Sequence, residues 1–98
     1  MQTLPINISG VGTFNIVPGI FGASIAIYRL LARATSGMTI TFLNGATALT
    51  GPLPFVTAQE IHAAEAHYPL FDCSPGNAFR VTKTSTSAFT GCVWFIQE

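Results

Sequence analysis

Apolar side chains in this chain return at every second position, and most of them are β-branched or aromatic. A two-residue period belongs to extended strands, because successive side chains there point to opposite faces, whereas a helix needs spacings of three and four. From Ser24 to Ala34, Ile25, Ile27, Arg29, Leu31 and Arg33 fall on one face and Ala26, Tyr28, Leu30 and Ala32 on the other. Arginine beside isoleucine predicts a strand covered on both faces, with Arg29 and Arg33 reaching an edge, a carboxylate or a neighbouring subunit. Met38, Ile40 and Phe42 share a face in the next run, and Phe79, Val81 and Lys83 share one in a later run. Between Ala88 and Gln97, Cys92, Trp94 and Ile96 oppose Val93 and Phe95. That last run is apolar on both faces, as in a strand that is central or lies in a subunit interface.

Turn chemistry cuts these runs to short lengths. Ser36-Gly37 ends the first, and Asn44-Gly45 predicts a type I′ hairpin into Ala46 to Thr50, because both residues accept left-handed conformations. Gly51-Pro52-Leu53-Pro54 ends regular pairing, since proline has no donor for a central ladder. Ser74-Pro75-Gly76-Asn77 and Ser85-Thr86-Ser87 turn the chain again. Thr57 to Ala66, rich in alanine, suits a short helix or a strand. Leu4, Ile6 and Ile8, then Phe14 and Ile16, fit two short strands or an extended arm within residues 1–20. About seven or eight short strands with frequent turns describe an all-β fold, a single antiparallel β-sandwich or jelly roll over residues 1–98.

Charge is scarce. Four basic and four acidic residues are spread over 98 positions, and the first, Arg29, follows 28 uncharged ones. Soluble domains carry roughly 25% charged residues. A domain of this size buries only about two thirds of its unfolded surface, so apolar residues must remain outside a monomer, and the outside is expected to belong to an interface. A net charge of zero lacks the basic footprint that nucleic acid or an anionic membrane would select. Pro5, Asn7, Gly10, Gly12, Asn15, Pro18 and Gly19 interrupt the uncharged stretch before the roughly 20 apolar residues of a spanning helix accumulate. No Lys or Arg stands near Met1, as a secretory n-region requires, so the chain is expected to be made and used without export. Cys73 and Cys92 could form at most one disulfide; in an unexported chain they read as two thiols.

The densest polar cluster is Glu60, His62, Glu65, His67 and Asp72. On a strand Glu60 and His62 share a face, as do Glu65 and His67, but the two histidines fall on opposite faces. On a helix their spacing of five puts them about 140° apart, unlike helical ligand pairs three or four apart. No metal, cofactor or catalytic residue is assigned, and His62, His67, Glu60 and Glu65 are the residues a metal reading would use. Cys92, between Gly91 and Val93 in an apolar run, reads as structural. Gly10-x-Gly12 lacks the third glycine of a dinucleotide loop.

The segment Thr39 to Pro54 (TITFLNGATALTGPLP) resembles a pattern in small virion proteins of tailed bacteriophages. The likeness continues through Pro69 and Phe71, the Gly76-Asn-Ala-Phe79 strand and the final strand from Gly91 to Glu98, about the last two thirds of the chain. It departs at the Ala58 to His67 stretch, where similar sequences are glycine-rich, and at Leu70, where tryptophan is usual. The resemblance implies a small β-sandwich that decorates or cements a capsid as a symmetric homo-oligomer, with a trimer favoured. It implies a virion location on the capsid surface after assembly in the host cytoplasm, with the major capsid protein as partner. Nucleic acid, membrane and enzymatic activity have no part in it. The residues expected at such interfaces are Ile6, Ile8, Phe14, Ile20, Phe55, Tyr68, Phe71 and Trp94. Two rival expectations are a receptor- or glycan-binding fibre domain and a metal-binding jelly-roll enzyme.

Overall fold

The period-two pattern becomes strands throughout, because each run can bury one face only by pairing laterally and stacking on a second sheet. The structure, a computed structural model, describes residues 1–64 and 68–98. Ten strands lie among the described residues: β1 (Gln2–Ile8), β2 (Gly12–Val17), β3 (Ile25–Ala34), β4 (Met38–Asn44), β5 (Thr47–Ala48), β6 (Leu53–Phe55), β7 (Glu60–Ala64), β8 (Phe71–Cys73), β9 (Phe79–Lys83) and β10 (Phe89–Gln97). One sheet runs β1-β10-β3-β7, with β8 also on β3; the other runs β2-β9-β4-β5, with β6 also on β4. All pairs are antiparallel. Taking β5 with β6 and β7 with β8 as two interrupted edge strands gives eight, and the chain then crosses between the sheets at every connection but the β4–β5 hairpin, in the double Greek-key order of a jelly roll. The expected sandwich is therefore present.

The first 17 residues belong to the sandwich itself: β1 edges one sheet and β2 edges the other. Of the Thr57 to Ala66 stretch, the described residues supply a strand, β7, rather than a helix, and 65–66 lie outside the described residues. The Gly51-Pro52 break is shorter than expected, since pairing resumes at Leu53 and Pro54 sits opposite Thr39 on an edge, where a missing donor costs no ladder bond. The Asn44-Gly45 hairpin forms, with Leu43 opposite Ala48 and Asn44 opposite Thr47. Its turn is not type I′: the central residues are Gly45 and Ala46, only Gly45 has positive φ (60°), and that pattern is type II′. Asn44 instead closes its strand, its Oδ1 accepting from the Ser74 backbone N–H at 3.2 Å and from Asn77 Nδ2 at 3.0 Å.

The largest departure from simple alternation is in β3. Trp94 pairs with Arg29 but Phe95 pairs with Ile27, which leaves Tyr28 as the extra residue of a β-bulge. The bulge inverts the phase of the strand: Ile25 and Ile27 point inward before it, and Leu30, Ala32 and Ala34 point inward after it. Arg29, Leu31 and Arg33 thus share the outer face without isoleucine, which corrects the expectation of one mixed face. A second bulge at Ile16, between Asn15 and Val17, lets Ile16 and Val17 both be buried.

Between the sheets Phe42 and Phe79 stack with centroids 5.6 Å apart, Phe71 lies 5.7 Å from each, and Phe55 meets Phe89 edge-on at 5.8 Å. Phe79, Val81 and Lys83 share a face as expected, and that face is the interior: Lys83 is 1% exposed. Its ammonium donates to the Gly10 carbonyl at 2.7 Å and to the Ser85 carbonyl, so it ties the β1–β2 connection to the β9–β10 connection.

Candidate functional site

The outer face of the β1-β10-β3-β7 sheet gathers the side chains with chemistry. Its rows follow from register: Thr3, Trp94, Arg29 and Ala64 form one; Pro5, Cys92, Leu31 and His62 the next; Asn7, Thr90, Arg33 and Glu60 a third. The phase inversion at Tyr28 puts Arg29 over the Trp94 ring, 4.6 Å from its centroid, a cation–π contact. Arg29 Nε donates to His62 Nε2 at 3.0 Å. Guanidinium has no acceptor, so this bond requires a lone pair on Nε2. Arg33 Nη1 stands 3.7 Å from Glu60 Oε1, with the side chains 55% and 58% exposed, a pairing that solvent makes weak. Arg33 thus does reach a carboxylate.

Between these polar pairs runs an apolar stripe of Leu31, Cys92, Trp94 and Ile96 on the two central strands, with Leu31 36% exposed. The other sheet's outer face differs. Its strands present Thr13, Asn15, Thr39, Thr41, Arg80 and Thr82 with Leu43 among them, and Thr13 and Thr82 share a hydroxyl hydrogen bond of 2.8 Å. That face is mostly polar, whereas the β10–β3 face carries an apolar stripe at its centre.

Among the metal candidates, His62 is engaged by Arg29 and Glu60 by Arg33, while Glu65 and His67 lie outside the described residues. Among the described residues no three His, Cys, Asp or Glu side chains converge. Cys92 and His62 share a row with Leu31 between them, about 9–10 Å apart across two strand spacings, too far for direct proton transfer.

The two cysteines are free thiols on opposite faces of the same sheet, Cys73 in the core and Cys92 half-buried outside. Burial pushes the Cys73 thiol up to about 11 from 9.0, and the Asp72 charge adds to the shift. Above pH 9.0 the unfolded thiol ionises while the folded one stays protonated, so this stabilising contribution is present below 9.0 and is lost as pH rises toward about 11. The expected loss is about 2–3 kcal/mol. Urea titrations at pH 8.5 and 11 check it: the stability of wild type relative to Cys73→Ala should fall by that amount between the two pH values.

The residues expected at interfaces separate into three groups. Ile6 and Phe55 are core residues, 3% and 4% exposed. Ile8, Phe14 and Phe71 are partly buried against the core. Ile20, Tyr68 and Trp94 reach the surface, the first two strongly exposed and Trp94 half-buried beneath Arg29. Leu31 and Cys92, not among the residues expected at interfaces, also reach the outer sheet face, and a further exposed aromatic is Phe21. Phe21 is fully exposed at the tip of a turn closed by the Ala23 N–H to Ile20 carbonyl bond, with Gly22 at φ 79°. The flanking Gly19 and Gly22 were the signal for that turn. No family model, curated protein or solved structure matches this chain.

Proposed function

We propose that the chain is a non-enzymatic structural module that associates with copies of itself and, in line with its sequence resemblance, decorates and cements a bacteriophage capsid. The observation that supports this reading best is the contrast between the two outer sheet faces: one carries threonine, asparagine and arginine around a single half-buried leucine, Leu43, the other the stripe Leu31, Cys92, Trp94 and Ile96 on its central strands. A solvated antiparallel sheet face is normally polar, so an apolar stripe at its centre favours a covering partner. Phe21 and Ile20, projecting from the β2–β3 connection, add a second apolar contact point. The rigid jelly roll supplies a platform, and lateral burial of roughly 800 Å² per partner would be enough for a stable contact between neighbouring copies or shell subunits. The role is mechanical: each contact resists separation of the subunits it spans.

Native mass measurement of the full chain tests the association. The expected species is an oligomer, with a trimer favoured, and Leu31→Glu is expected to weaken it at least ~30-fold, about 2 kcal/mol, by placing an unpaired carboxylate in the covered face. The far-UV circular dichroism should not change, because Leu31 points away from the core. A stable wild-type monomer at high micromolar concentration would remove the proposal. The capsid role further requires the chain to co-purify with gradient-purified particles.

A further inference from the structure

We infer that Arg29, His62 and Trp94 form a proton-controlled latch: neutral His62 holds the Arg29 guanidinium over Trp94, and protonation of His62 lets it go. The inference stands on the geometry of one chain and needs no partner, so it survives or fails independently of the association proposed above. The Arg29 Nε to His62 Nε2 bond of 3.0 Å exists only while Nε2 carries a lone pair. Protonation makes both ring nitrogens donors. The bond then has two donors and no acceptor, and two cations face each other at contact distance. Among the described residues the cation–π contact at 4.6 Å is the one remaining restraint on the guanidinium, and at an exposed site such a contact is weak.

The surroundings of His62 favour this outcome. From β7 itself Glu60 shares its face, and from β3 Arg29 and Arg33 flank Leu31, its cross-strand partner. Glu60 is engaged by Arg33 at 3.7 Å, so the charged group bonded to the ring is the cation Arg29. The next strand, β10, brings Cys92 and Trp94. Glu65 and His67 lie outside the described residues, and His67 is therefore given its own control. Release of Arg29 uncovers the Trp94 ring beside Leu31 and Cys92, so acid would change the apolar content of the whole face.

Trp94 is the chain's single tryptophan, so its emission reads the latch directly. The full-length chain is titrated from about pH 8 to about pH 5, the interval in which imidazoles change charge, with circular dichroism confirming that it stays folded. Wild type is expected to show one transition toward longer wavelength. His62→Gln and Arg29→Met are expected to lose it, and His67→Gln to keep it. A second measurement needs no variant: nitrogen NMR of the imidazole at pH 8 should show His62 with its proton on Nδ1. A transition that persists in His62→Gln, no transition in folded wild type, or an Nε2–H tautomer would each overturn the latch.

Discussion

Gly91→Ala is expected to remove about 4 kcal/mol or more of stability, a large share of what a domain of this size possesses. Gly91 lies in β10, opposite Ala32 of β3 and Ile6 of β1, so it has backbone on both sides. A Cβ added there would stand 1.8 Å from the Leu31 carbonyl oxygen and 2.8 Å from Ala32 Cα, and both are backbone atoms that no rotamer change can move. Restoring ordinary contact would require the two central strands of the sheet to separate by more than an ångström, which breaks their ladder locally. The glycine's φ of 158° marks the same close approach. Thermal unfolding followed by circular dichroism should show a midpoint at least about 15 °C lower. Gly51→Ala is the control, because nothing lies within 4 Å of its added Cβ; it should change stability by less than about 0.5 kcal/mol. A Gly91→Ala chain within about 1 kcal/mol of wild type would mean that the approach of β10 to β3 at Leu31 is looser than described.

Gly91 was visible in the sequence as the start of the last strand, yet nothing local said that it touches Leu31. The same division runs through the whole chain. Period-two alternation and turn residues depend on neighbours in sequence, so the sandwich, the hairpin at Gly45 and the shared face of Phe79, Val81 and Lys83 could be read directly. The bulges at Tyr28 and Ile16 depend on the register of a partner strand, and each reverses the alternation that a linear reading extrapolates. The candidate face was hidden for that reason. Trp94 and His62 were singled out separately, and Arg29 was assigned to a face with Ile25 and Ile27; only the one-residue shift at Tyr28 brings Arg29 out to meet both. Phe21 shows the converse: a residue with strand-like chemistry stands in a segment whose glycines make a turn.

Lys83→Glu is expected to prevent folding at neutral pH, and Lys83→Met to cost about 2–4 kcal/mol. The interior face of β9 ends in this lysine, and its ammonium is satisfied by two backbone carbonyls, Gly10 and Ser85, at one end of the sandwich. Methionine keeps most of the side-chain volume and fills the same space, so the loss isolates the hydrogen bonds: two carbonyls of connections that close over the core are left without their donor. Glutamate is worse, because it sets a carboxylate against those same oxygens with no donor to either. The pH dependence separates the amine from simple packing. Burial lowers the Lys83 pKa below 10.5, so between the folded value and 10.5 the unfolded chain holds a proton that the folded chain has released. Stability from this group therefore rises with pH in that window, whereas Cys73 makes stability fall above 9.0. Lys83→Met removes the rising contribution and leaves the falling one, so its alkaline loss in urea titrations should be steeper than that of wild type. An unchanged slope with full stability would mean that the amine does not hold the two connections together.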